Sequence, residues 1–93
     1  MPRNYVFKTT PSFRKALAKL NPQQKASARK AFAIFKRDPF DARLRTHKIH
    51  GLSIKLRRTI YSVFIEFDLR ALFYLDGDIM VSLDIGDHSI YRT

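Results

Sequence analysis

Apolar residues fall at helical spacing in the first third of this 93-residue chain and alternate in the last third, with an aperiodic middle. "NYVFKT" places Tyr5 and Phe7 on one side and predicts a first strand. In "TPSFRKALAKL", Phe13, Ala16, Leu17 and Leu20 recur at i, i+3, i+4 and i+7, one apolar stripe of a helix. Thr10 suits its N-cap and Pro11 its first helical position. Asn21-Pro22 ends that helix and opens a second, and Asn21 with Gln24 matches a capping box. The second helix is predicted to run to Arg37, where Asp38-Pro39 stops it. Its stripe is Ala28, Ala31, Phe32 and Phe35, with Lys25, Arg29 and Lys36 on the other side. So short a link predicts an antiparallel helical hairpin.

Residues 38–52, "DPFDARLRTHKIHGL", show no period. A long connection of this kind in a small domain is often functional, and this one is basic: Arg43, Arg45, His47, Lys48 and His50. "SIKLRR" alternates Ile54 and Leu56 with Lys55 and Arg57, which reads as a half-exposed strand. "TIYSVFIEF" puts Tyr61, Val63, Ile65 and Phe67 on one face and Ile60, Ser62, Phe64 and Glu66 on the other. "RALFYL" follows, then a "DGD" hairpin turn. "IMVSLDI" is read with Ile79, Val81, Leu83 and Ile85 inward and Met80, Ser82 and Asp84 opposite. The order β-α-α-β-β-β makes residues 1–93 a single α+β domain. The N-terminal strand and helical hairpin pack on one face of a mainly antiparallel sheet, and the other face is expected to be open. One register stays undecided. A two-residue turn at Asp76-Gly77 sets Arg70 with Leu72, Val81 and Leu83, whereas a three-residue loop sets it with Asp84.

Composition narrows the class. Apolar residues make up 45% of the chain, with eight Phe and four Tyr, which argues for a folded core rather than disorder. There is no Cys for a disulfide or thiolate metal site. "MPRNYVFKTT" lacks the apolar centre of a signal peptide and no run is long enough to span a membrane, so a cytoplasmic protein is expected. The charge is lopsided. Residues 1–58 hold 16 basic and two acidic side chains, whereas residues 59–93 hold two basic and six acidic. A positive lobe of that size favours a polyanion, either nucleic acid or an acidic protein segment.

No nucleotide-binding glycine loop, G-x-S-x-G or Ser-His-Asp pattern is present. His47-x-x-His50 with His88 is too loosely spaced, and too short of a further ligand, to predict a metal site. The basic loop, Arg70, His88 and Tyr91 suit another chemistry. RNA is cut by its own 2′-hydroxyl when a base sits near that hydroxyl, cations surround the phosphate and an acid serves the leaving 5′-oxygen. Histidine titrates in the right range, arginine matches two phosphate oxygens, and tyrosine stacks on a base or donates to phosphate. Structural roles compete: Arg70 paired with Asp68 or Asp84, Tyr91 as a last core residue, His88 capping a turn.

"THKIHG" and "DLRALFYLDGDIMVSLDIGDHSIYR" together resemble the RelE/ParE superfamily of type II toxin–antitoxin toxins. The likeness extends over nearly the whole chain. It implies a RelE-like fold, no cofactor and an acidic antitoxin partner. For the RNA-cutting members it implies cleavage of mRNA, commonly on the 70S ribosome. By this resemblance Arg70 matches the arginine on the scissile phosphate and His88 the catalytic histidine of the YafQ-like branch. Tyr91 matches the C-terminal aromatic, and Asp68 and His47 match an acid and a histidine of that branch. The sequence departs at Phe64, where the branch has a histidine, at Leu69, where it has an aromatic, and at Asp87, where threonine is common. Arg45, Lys48, Lys55, Arg57 and Arg58 are the expected RNA-backbone contacts. Two readings stay open beside the nuclease: a ParE-like DNA gyrase inhibitor and a non-catalytic basic RNA-binding module.

Overall fold

A computed structural model describes residues 4–92, with Arg92 as backbone; Met1–Arg3, where the reading of the N-terminus begins, and Thr93 lie outside them. The elements are β1 (Val6–Thr9), α1 (Pro11–Ala18), α2 (Pro22–Arg37), β2 (His47–Lys48), α3 (His50–Leu56), β3 (Ile60–Glu66), β4 (Leu69–Asp76) and β5 (Ile79–Gly86). Two 3₁₀ turns, Ala42–Leu44 and His88–Arg92, complete the chain. The sheet order is β1-β5-β4-β3-β2; β1 runs parallel to β5 and the other pairs are antiparallel. The α1–α2 excursion carries the chain from β1, at one edge, across the sheet.

The helix signals act as read. Thr10 Oγ1 accepts from the Phe13 N–H, and Asn21 and Gln24 exchange side-chain-to-backbone bonds as a capping box. Both helices lie on one sheet face. Phe13 meets Phe32 edge-on, and Phe35 packs against Phe7 and Phe73. Phe73 also stacks on Tyr61 at 5.1 Å between centroids. This aromatic seam, with Ala28, Val63 and Met80, is the main core.

Residues 53–58 correct the strand reading. His50–Leu56 is a helix, with Ile54 78% exposed and Leu56 also outside. The alternation rested on two apolar residues that face solvent, whereas the buried member of this segment is Leu52. Ser53 anchors the turn out of the helix: its hydroxyl donates to the Ile49 carbonyl and accepts from the Ile60 N–H. Leu52 joins Ile60, Leu72 and Ile90 in a second, smaller core on the sheet face away from α1 and α2. That face is therefore partly covered by α3 and the C-terminal 3₁₀ turn rather than open. Phe67 also differs, leaving β3 for the turn before β4.

The β4–β5 register joins both alternatives left by the sequence. The central turn residues are Gly77 and Asp78, with Asp76 paired to Ile79. Gly77 alone has positive φ, 61°, the glycine-first geometry of a two-residue hairpin. A bulge follows: Phe73 pairs with Ser82 but Leu72 pairs with Asp84, so Leu83 is the extra residue. Before the bulge Met80 and Ser82 face the helices, which reverses the expected faces and leaves Met80 with 0% exposure. Ile85 returns to the helix side beyond it, as expected, while Leu83 joins the second core. Thr10 fixes this irregularity, its N–H on the Ser82 carbonyl and its hydroxyl on that of Leu83. Arg70 thus shares a face with both Leu72 and Asp84.

Candidate active site

Strand alternation sends Arg70 to the face away from the two long helices, between Leu69 and Ala71, which are both buried in the main core. Its Nη1 donates to the Tyr91 hydroxyl at 3.2 Å, and its guanidinium lies 5.5 Å from the Tyr91 ring. The Tyr91 hydroxyl shares a 2.7 Å hydrogen bond with Ser62 Oγ, a buried hydroxyl on β3. His47 on β2 lies directly opposite Ser62, so its side chain belongs to this same face. His47 Nδ1 bonds the Arg45 carbonyl at 2.9 Å. A carbonyl can only accept, so Nδ1 carries a proton, and Nε2 has no hydrogen-bond partner among the described residues. Arg45 arches back over the Phe64 ring, 5.0 Å from its centroid, and Phe64 is the β3 partner of Arg70.

A second contact holds the same edge. His88 Nδ1 meets Asp68 Oδ1 at 3.0 Å, and the His88 backbone N–H donates to that oxygen at 3.5 Å. Asp68 sits in the β3–β4 turn with φ 56°, a left-handed conformation that Asp tolerates better than most residues. The His88 side-chain bond, foremost, holds the Asp68 carboxyl below its ordinary value, so the anion is in place at neutral pH. His88 and Tyr91 are three residues apart in a 3₁₀ turn, where such positions eclipse, so they share one side of it. Asp68 and Arg70 therefore grip the two ends of the turn that carries them. Gly86, opposite Arg70, makes room: a Cβ there would come 2.9 Å from Ile90 Cγ2. Asp87 adds an anion held below its usual range, chiefly by the Ser89 side chain and then by the Ser89 N–H, with His88 and Arg70 contributing.

The competing structural role is decided for Arg70 alone, since Tyr91 does pack against the second core and His88 does tie its turn to Asp68. Arg70 pairs with neither Asp68 nor Asp84; beyond Tyr91 it finds no hydrogen-bond partner among the described residues, and its buried Nε stays unmatched. Leu69 is core, so the departure there is structural. The expected backbone-binding cations separate into groups. Arg45 borders the site. Lys48 points to the opposite side of β2 from His47, in register with Tyr61. Lys55 and Arg57 are exposed at the end of α3, and Arg57 takes a left-handed conformation. Arg58 stacks 4.1 Å over Tyr74, across the second core from Arg70. Sequence reasoning missed Ser62, whose signal was a lone hydroxyl between Ile60 and Phe64 on the second face. Among the described residues no group of three or more His, Asp or Glu is arranged to hold a metal ion.

No family model and no curated protein sequence matches the chain. Solved structures do. The archaeal RelE–RelB complex from Pyrococcus horikoshii OT3 matches at TM-score 0.70 and 15% identity, over 91% of this chain and 96% of that one. The toxin–antitoxin complex RelBE2 from Mycobacterium tuberculosis matches at 0.69 and 19%, over 96% and 99%. YafQ from E. coli matches at 0.66 and 12%, over 96% and 99%. The sequence resemblance and the backbone therefore converge: this chain has the fold of the RelE/ParE toxins.

Proposed function

We propose that the protein is the toxin of a type II toxin–antitoxin pair and a metal-independent endoribonuclease that cuts mRNA at the ribosome and so halts translation. The observation that carries this reading is the double grip of β4 and its turn on the C-terminus, Arg70 to Tyr91 and Asp68 to His88. It supports a phosphate-binding cation and a carboxylate-oriented histidine on one face. The RNA 2′-hydroxyl attacks the adjacent phosphorus and gives its proton to His47 Nε2. The P–O5′ bond breaks, and the leaving oxygen takes the Nε2 proton of His88, whose charged form has its counter-ion in Asp68. A 2′,3′-cyclic phosphate and a 5′-hydroxyl result. Arg70 stabilises the phosphorane and Tyr91 orients the phosphate or a base. Asp68, engaged with His88, acts as orienter and leaves the base role to His47. Arg45, Lys55, Arg57 and Arg58 extend the basic surface for RNA backbone, whereas Lys48, on the other side of β2, leaves that set.

The antitoxin surface lies elsewhere. A groove of about 830 Å³ between α1, α2 and β1 has an apolar floor including Phe7, Phe13 and Phe32, with Lys8, Arg14, Lys25, Arg29 and Lys36 at its rim. It is on the helix side, away from Arg70, and suits an acidic amphipathic segment. RelE and YafQ have each been crystallised with an antitoxin, in the RelE–RelB and DinJ–YafQ complexes. No helix among the described residues is long and apolar enough to cross a membrane.

The test is incubation of the purified, EDTA-treated and desalted chain with end-labelled mRNA, free in EDTA and on programmed ribosomes in Mg²⁺ buffer. The expected products carry cyclic phosphate and 5′-hydroxyl ends and form with ribosomes present. No cutting in either case, together with supercoiling defects in induced cells, would favour the gyrase-directed alternative. RNA retention without products would favour a binding module.

A further inference from the structure

Seven of the eight phenylalanines have a structural explanation. Phe13, Phe35 and Phe73 are buried, Phe7 and Phe32 pack beside them, Phe64 lies under Arg45, and Phe40 contacts Tyr61 and Phe73. Phe67 has none. It is 92% exposed and has no ring or cation partner among the described residues. It occupies a tight turn, where Gly, Asn, Asp, Ser and Pro are the usual residues. Neither packing nor turn geometry calls for a phenyl ring there.

The ring also has a rigid mount. Leu69, two residues on, is 1% exposed in the main core, and Asp68, the next residue, is tied to His88. The turn backbone is thus pinned beside the ring, and Phe67 is one residue from the carboxylate that holds the leaving-group histidine. A planar apolar surface at the edge of a phosphate-binding cluster is how proteins stack an unpaired nucleobase, whatever its identity.

Building on the nuclease reading, we infer that Phe67 is a substrate-binding residue that stacks a single-stranded nucleobase next to the scissile phosphate. The stacked base fixes the strand against His88 and supplies affinity without hydrogen-bond readout. Nearly full exposure makes Phe67→Ala a clean probe, because the fold loses no packing.

The experiment uses the intact chain and an RNA octamer carrying 2-aminopurine at successive positions, with a 2′-deoxy block at the cut site. Wild type quenches the probe at one position. Phe67→Ala abolishes that quenching and weakens binding about tenfold or more, with its melting temperature unchanged. Phe67→Trp restores both. On cleavable RNA, Phe67→Ala raises KM more than it lowers kcat. Unchanged binding, quenching and KM in Phe67→Ala, while Arg70→Ala abolishes cutting, overturns the stacking role and leaves the nuclease reading standing. Loss of capture of an acidic antitoxin peptide with RNA binding intact also overturns it, and marks Phe67 as a protein contact. A wild-type chain that neither binds the octamer nor cuts RNA, free or on programmed ribosomes, overturns both.

Discussion

The two faces of the sheet are built on different principles. The helix side is a continuous apolar seam in which Phe35, Phe73 and Tyr61 interlock, closed by two capped helices. The other side holds a four-residue apolar cluster under α3 and the last turn, and beside it a hydrogen-bonded chain from Ser62 through Tyr91 to Arg70, with His47 opposite Ser62. One face supplies stability. The other uses its small core to seat a turn whose side chains grip β4. In so short a chain, which buries roughly 60–65% of its unfolded surface, the burden on the first face is heavy.

This division can be broken from either side. Phe73→Ala removes the ring shared by Phe35 and Tyr61 and should cost about 3–5 kcal/mol, read as a denaturant midpoint; much of a small domain's stability goes with it. Gly86→Ala should cost less in stability, about 1–3 kcal/mol, but should push Ile90 and the C-terminal turn off β4. Its cleavage rate should fall further than its melting temperature suggests. Equal losses in both would mean that the turn is merely structural.

Smaller effects sharpen the contrast. Arg57 closes α3 in a left-handed conformation that glycine adopts freely. Arg57→Gly should stabilise the protein by up to about 1 kcal/mol and reduce the salt slope of RNA binding by about one. Stability gained at the expense of binding would mark this strain as belonging to the second face. The smallest effect is acid titration. The Arg43 side-chain bond, foremost, lowers the Asp41 carboxyl to about 2. A native value depressed below the unfolded one, about 3.9, gives stability that is complete above that range and lost as pH falls toward 2. Carboxyl NMR should show an Asp41 midpoint near 2, and Arg43→Ala should raise it. Asp68 follows the same sign through His88, and His88→Ala should raise its midpoint.

Much of the helix face was legible in the sequence because caps and 3.6-residue periods are local signals. Thr10, Asn21-Pro22 and Gln24 act where their chemistry places them. The second face was less legible because its features are non-local. The Leu83 bulge depends on hydrogen bonds from Thr10, 73 residues away, and it decides which way Met80 faces. The α3 segment misled because its exposed Ile54 and Leu56 mimic strand alternation while Leu52 alone carries its packing. Arg70, His88 and Tyr91 were singled out by residue chemistry and Asp68 by family resemblance, and the structure joins them in two pairs. Ser62 and Phe67 became visible once the hydroxyl chain and the exposed turn were in place.

The central claim is that the Arg70–Tyr91 and Asp68–His88 contacts form a cutting site rather than a clasp. Cleavage of ribosome-bound mRNA by wild type, Arg70→Ala and His88→Ala, each checked for folding by thermal melting, tests it most directly. The account predicts fully folded variants whose cleavage falls by about 10²–10³-fold for Arg70→Ala and about 10²–10⁴-fold for His88→Ala. Folded variants that cut RNA at the wild-type rate would contradict it.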